Sequence, residues 1–68
     1  MRTNKENGRL LFQLRRSKGL SKKELGELLN CSESTIQFYE LGHRRPRDEV
    51  KVKYASVFNT TVQKLFYE

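Results

Sequence analysis

Glu33, Ser34, Gln37 and Phe38 stand within one stretch of ten residues, Ser32 to Leu41, that also carries Ile36 and Tyr39. On a helix advancing about 100° per residue, Tyr39 and Glu40 fall within about 60° of Ile36, while Ser34, Gln37, Phe38 and Leu41 fall on the far side. One face therefore turns inward and the other presents an amide, a hydroxyl and an aromatic ring to the outside. Those groups suit the reading of flat donor and acceptor edges rather than the making of bonds. The Gln37 amide can pair bidentately with N6 and N7 of adenine, Ser34 can donate or accept at several bases, and Phe38 can lie against a thymine methyl. Glu33 can accept from cytosine N4, or simply favour the positive end of the helix from its first turn. Phe38 and Leu41, apolar at i and i+3 on an outward face, suit a protein partner as well as DNA.

Cations flank this stretch. Lys22 precedes it, and Arg44 and Arg45 follow in the loop His43–Arg47; contacts from such residues to phosphates supply affinity and fix docking register without reading sequence. Amides at the helix start beside Ser21 offer a further anion site. Lys23, Arg16 and Arg47 are weaker phosphate candidates that read more readily as solvated surface, and Arg2 and Lys5 belong to a polar arm that either tracks DNA or does nothing specific. Fourteen Lys and Arg against eight Asp and Glu leave a formal charge of +6 on 68 residues, a field that attracts polyanions.

Other chemistries find little support. Cys31 is the sole cysteine and His43 the sole histidine, so neither an internal disulfide nor a four-ligand zinc site can form. The sequence shows no paired nucleophile and base, no glycine-rich phosphate loop and no metal-ligand cluster, so we expect no enzyme and no cofactor. A chain of this length buries only roughly 60% of its unfolded surface, which leaves little room for a deep substrate cavity. The longest apolar run is three residues, Leu10 to Phe12, against the roughly 20 needed to span a bilayer, so a soluble, cytoplasmic protein without membrane contact is expected.

Helices must position these groups. Residues 1–7 lack apolar periodicity and read as a flexible N-terminal arm, with the domain proper over 8–68. A first helix is predicted from about Gly8 to Lys18, with Leu10, Leu11 and Leu14 as its stripe and Gly19 as its stop. A second opens on the capping box Ser21-Lys-Lys-Glu24, carries Leu25, Leu28 and Leu29, and ends at Asn30. Ser32 caps a third, and Gly42 stops it. The link of about three residues between second and third forces a steep crossing, the geometry of a helix-turn-helix. A fourth helix is predicted from about Asp48 to Phe58. Val50-Lys-Val-Lys-Tyr54 alternates as a strand would, but the helical partners continue to Phe58. Thr60 or Thr61 caps a short fifth helix through Val62, Leu65 and Phe66. The fold class is all-α, a five-helix domain with a core of Leu14, Leu25, Leu29, Ile36, Tyr54, Ala55 and Phe58.

Residues 10–66, with the run LRRSKGLSKKELGELLNCSESTIQFYELGHRRP and the tail YASVFNTTVQKLF, resemble the lambda-repressor-like helix-turn-helix domain of the Xre/Cro group of bacterial and phage regulators. The resemblance implies a sequence-specific transcriptional regulator, a repressor, that reads an inverted repeat on double-stranded DNA as a homodimer. It places Lys22 on the DNA backbone or an end base, and it implies a structural ion pair between Arg15 and Glu40 that ties the first helix to the third. Glu40 lies on the inward side of its helix, so burial there would require a cation. Gly26 stands where the family carries a small residue, Asn30 where it usually has glycine, and Cys31 in a slot usually held by valine. Leu41 departs from a position that is commonly polar, and Asp48 and Lys51 from positions often apolar. With no further domain in this sequence, dimer contacts are expected from the last helix through Val62, Phe66 and Tyr67. An alternative is the same fold acting as a protein-interaction module, such as an antitoxin, or as the target of an antirepressor.

Overall fold

Four short polar side chains set where helices begin. The computed structural model describes residues 1–68 and folds them into α1 (Asn4–Ser17), α2 (Lys22–Leu29), α3 (Glu33–Leu41), α4 (Asp48–Val57) and α5 (Val62–Phe66). Thr3, Ser21, Ser32 and Thr61 are extended residues whose hydroxyls accept the N–H three positions on, which satisfies amides that have no partner within the helix. At α4 the cap position is Arg47, which makes no such bond; Asp48 and Glu49 in the first turn complement the positive helix end instead. Asn30 (φ 57°, ψ 45°) and Gly42 (φ 78°) end α2 and α3 in the left-handed region.

The first helix corrects one expectation. It begins at Asn4 rather than Gly8, because Thr3 and Glu6 form a second capping box: the Thr3 N–H donates to Glu6 Oε1 at 2.8 Å and the Glu6 N–H to Thr3 Oγ1 at 3.1 Å. Residues 1–7 are thus not an arm standing apart from the domain. The Arg2 guanidinium donates to the carbonyls of Lys64 (2.6 Å) and Leu65 (2.7 Å), and the Asn7 amide also donates to Leu65 O. These bonds satisfy carbonyls at the C-terminal end of α5, which a helix leaves without internal partners.

Gly8, read from sequence as a boundary, lies inside α1 where it crosses α3. A Cβ there would strike the carbonyl oxygens of Glu40 and Tyr39. Gly26 plays the same part between α2 and the turn, where a Cβ would stand 2.6 Å from the Cys31 carbonyl oxygen.

Leu11, Leu25, Leu29, Ile36 and Tyr54 are fully buried, and Tyr39, Ala55, Leu65 and Phe66 complete the core. Leu14 and Phe58, expected at its centre, are half-buried against its margin. Tyr54 occupies the middle, edge-on to Tyr39 and Phe66 and stacked on Phe58, with ring centroids 6.0–6.2 Å away. Burial holds its hydroxyl well above the usual tyrosine range. Lys51 keeps its place in a largely apolar setting by lying over the rings of Phe66 and Tyr67 and donating to the Tyr67 hydroxyl at 2.8 Å. Of the residues expected at a dimer face on α5, Phe66 is a core residue, Val62 is packed against the core margin, and Tyr67 is exposed. No helix is long and apolar enough to cross a membrane.

Candidate nucleic-acid interface

The helix pair α2–α3 is joined by Asn30, Cys31 and Ser32, and the left-handed Asn30 makes the turn tight enough for α3 to cross α2. Ile36 and Tyr39 hold α3 to the core, while Glu33, Ser34, Gln37, Phe38 and Leu41 are exposed. The side chains that could reach a base edge therefore share a helix whose other face is fixed by packing. Phe38 is exposed by 43%, and its ring leans towards the His43 imidazole with centroids 6.3 Å apart.

An ion pair fixes the tilt of this helix. Arg15 on α1 meets Glu40 on α3 through two bonds, Nε to Oε2 at 2.7 Å and Nη2 to Oε1 at 3.0 Å, and each side chain is only 7% exposed. A third bond, from Arg15 Nη1 to the Leu20 carbonyl at 2.9 Å, ties in the loop before α2. Bidentate geometry resists rotation as well as separation, so α3 is held at a defined angle to α1. The carboxylate bond stabilises the charged guanidinium and raises its pKa above the usual arginine value.

Cationic and N-terminal groups flank α3 on two sides. On one side Lys22, in the first turn of α2, donates from Nζ to Gln37 Oε1 at 3.3 Å. Ser21 closes its capping box with Glu24 there, by 2.9 and 3.0 Å bonds; the Ser21 backbone N–H holds the Glu24 carboxyl below the usual range. On the other side Arg44 and Arg45 line a depression of about 430 Å³ with Ser32 and Thr35 of the α3 start. Arg47 and Lys53 belong to the same depression. Arg47 had read as a weaker phosphate candidate than Arg44 and Arg45, and Lys53 had no signal in the sequence; its position emerges only because α4 returns beside the turn, where its Nζ lies 3.4 Å from the Leu29 carbonyl.

The α2–α3 pair, packed together across a three-residue turn, and the outward polar face of α3 define a helix-turn-helix domain. A family model described as helix-turn-helix matches residues 11–65, and the chain belongs to that family of DNA-binding regulators. Among curated proteins, the chain is 38% identical over 55 residues to the HTH-type transcriptional regulator AnsR of Bacillus subtilis (strain 168). That match covers 81% of this chain but 47% of AnsR, so the chain spans about half the length of this relative. Among solved structures, the restriction-modification controller protein C.AhdI from Aeromonas hydrophila superposes with a TM-score of 0.79 at 30% identity, covering 88% of this chain and 91% of the other.

Proposed function

We propose that this protein is a transcriptional regulator, acting as a repressor, that inserts α3 into the major groove and reads an inverted-repeat operator as a homodimer. The observation that carries the reading is the arrangement of Lys22 and of Arg44 and Arg45 on opposite flanks of an exposed face holding Ser34 and Gln37. A major groove about 12 Å wide admits one helix, and the phosphates on its two rims would meet these flanking cations. Gln37 and Ser34 are the proposed base readers, Phe38 a thymine contact, and Glu33 a cytosine contact from the first turn. Ser21, Lys22, Arg44 and Arg45 are the proposed phosphate contacts. The kinship with AnsR and C.AhdI, named as regulator and controller, supports the regulatory role. One such helix addresses only about four or five base pairs, so two half-sites about one helical turn apart supply the remaining specificity.

Selection of bound duplexes from a random pool tests the reading. The expected product is an inverted repeat with half-site centres about 10 base pairs apart. Recovery of no enriched motif, or amide shifts on duplex addition that spare Ser34, Gln37 and Phe38, would overturn it.

A further inference from the structure

Between the outer face of α1 and the C-terminal half of α3 runs a groove of about 520 Å³ whose lining includes Lys5, Arg9, Phe12, Lys22, Gln37 and Leu41. Its floor is the closed Arg15–Glu40 pair. Phe12 and Leu41 are exposed by 40% and 48%, large values for apolar groups that line one concavity. Along α1, Lys5, Arg9, Phe12 and Arg16 follow at spacings of four, three and four, which puts them on one helical face. The guanidinium of Arg16 lies 5.8 Å from the Phe12 ring centroid, and neither Lys5 nor Arg9 has a carboxylate within ion-pair distance. Glu6, the one other acid on the lining, is committed to the Thr3 cap.

We propose that this groove is a docking site for an acidic peptide segment of another protein, anchored by an aromatic or aliphatic side chain between Phe12 and Leu41. Charge complementarity selects that occupant. A second copy of this chain offers no acidic segment to this groove: its eight Asp and Glu are scattered, with Asp48-Glu49 the only adjacent pair. Duplex DNA satisfies the cations but has no flexible apolar group to place between two hydrophobic side chains. An acidic segment with one apolar anchor satisfies both. Lys22 and Gln37 belong to the groove wall and to the proposed DNA face, so the occupied groove excludes DNA. This last point rests on the DNA-binding reading; docking itself does not.

The test uses isotopically labelled protein and two synthetic peptides of about 15 residues. Both are built of glutamate and alanine, and one carries Phe and Leu at i and i+4. The anchored peptide is expected to shift the signals of Phe12, Arg9 and Leu41, and to bind at least about tenfold more tightly than the unanchored one. Phe12→Ala, at an exposed position, should remove that tenfold advantage while leaving duplex affinity within about twofold. Arg9→Gln should weaken both peptides and flatten the salt dependence of their binding. Equal affinity of the two peptides, or shifts centred on the Arg44–Arg45 depression, would overturn the proposal. If the anchored peptide and a duplex bound the unaltered protein independently of one another, docking would stand and the exclusion of DNA would fall. If no duplex bound at all, the peptide result would still decide docking.

Discussion

The Lys22 ammonium and the Gln37 amide oxygen are joined across the α2–α3 pair at 3.3 Å. The proposed phosphate contact thus holds the proposed base reader. An amide oxygen has two acceptor positions, so Gln37 can keep this bond and still accept from adenine N6 while its nitrogen donates to N7. Gln37→Ala should relax preference at a single base position by about 1–3 kcal/mol and leave affinity for random duplex unchanged. Lys22→Met should weaken all duplexes and also blur the preference at that same position. Competition binding against single-base operator variants would show both effects, and equal losses on cognate and random DNA for Gln37→Ala would refute base reading.

Arg44 lies exposed on the other flank of α3, with no acidic partner within ion-pair distance. Its replacement by alanine should weaken binding to every sequence and reduce the slope of log affinity against log salt by about one. Titrations at several salt concentrations would check this, and a loss confined to the cognate site would assign Arg44 to readout.

The Arg15–Glu40 pair carries a stability prediction. Removing one member leaves a charge in a site that is 7% exposed. Arg15→Met or Glu40→Gln should each cost about 3 kcal/mol, the low end for a buried pair because one edge meets the groove. The double replacement should cost less than the sum of the two. Chemical denaturation would measure all three, and additive losses would mean that the two groups act separately.

Acid should loosen the capping boxes. Backbone N–H bonds from Thr3 and Ser21 hold the carboxyls of Glu6 and Glu24 below their ordinary value of 4.5. A carboxyl whose pKa is lowered on folding contributes stability that is present above its unfolded value and is lost as pH falls through the folded one. Melting temperature should therefore drop as pH falls below 4.5. Glu24→Gln, which can keep the reciprocal bond, should flatten the drop without abolishing the cap. An unchanged acid profile in that variant would remove Glu24 from the account.

A tight-packing prediction concerns Gly26. Its Cβ in Gly26→Ala would meet a backbone oxygen at 2.6 Å, and backbone cannot swing aside as a side chain can. We expect a loss of about 1–3 kcal/mol by thermal melting, and no loss would show that the turn gives way.

Much of the helix order was legible because it is written in short-range signals: hydroxyls at Ser21 and Ser32, and stops at Asn30 and Gly42. The beginning of α1 was missed although Thr3 and Glu6 spell the same capping pattern as Ser21 and Glu24. The first turn of α1 has no apolar stripe to announce it, and Gly8 resembles a boundary until its close approach to α3 is seen. Periodicity placed Ile36 and Tyr39 inward and Gln37 and Phe38 outward, but it could not rank Leu11 above Leu14. That ranking depends on which neighbours arrive from α4 and α5. The same non-local cause hid Lys53 beside the turn and put Phe66 in the core.

Asn30 holds a left-handed backbone that glycine adopts with no side-chain penalty. In the unfolded ensemble asparagine wanders over fewer conformations than glycine, so less disorder is surrendered when the hinge between the two helices forms. The bend between α2 and α3 is therefore partly pre-set by the denatured chain itself, and replacing Asn30 with glycine would relax the native bend while enlarging the crowd of states from which folding must select it.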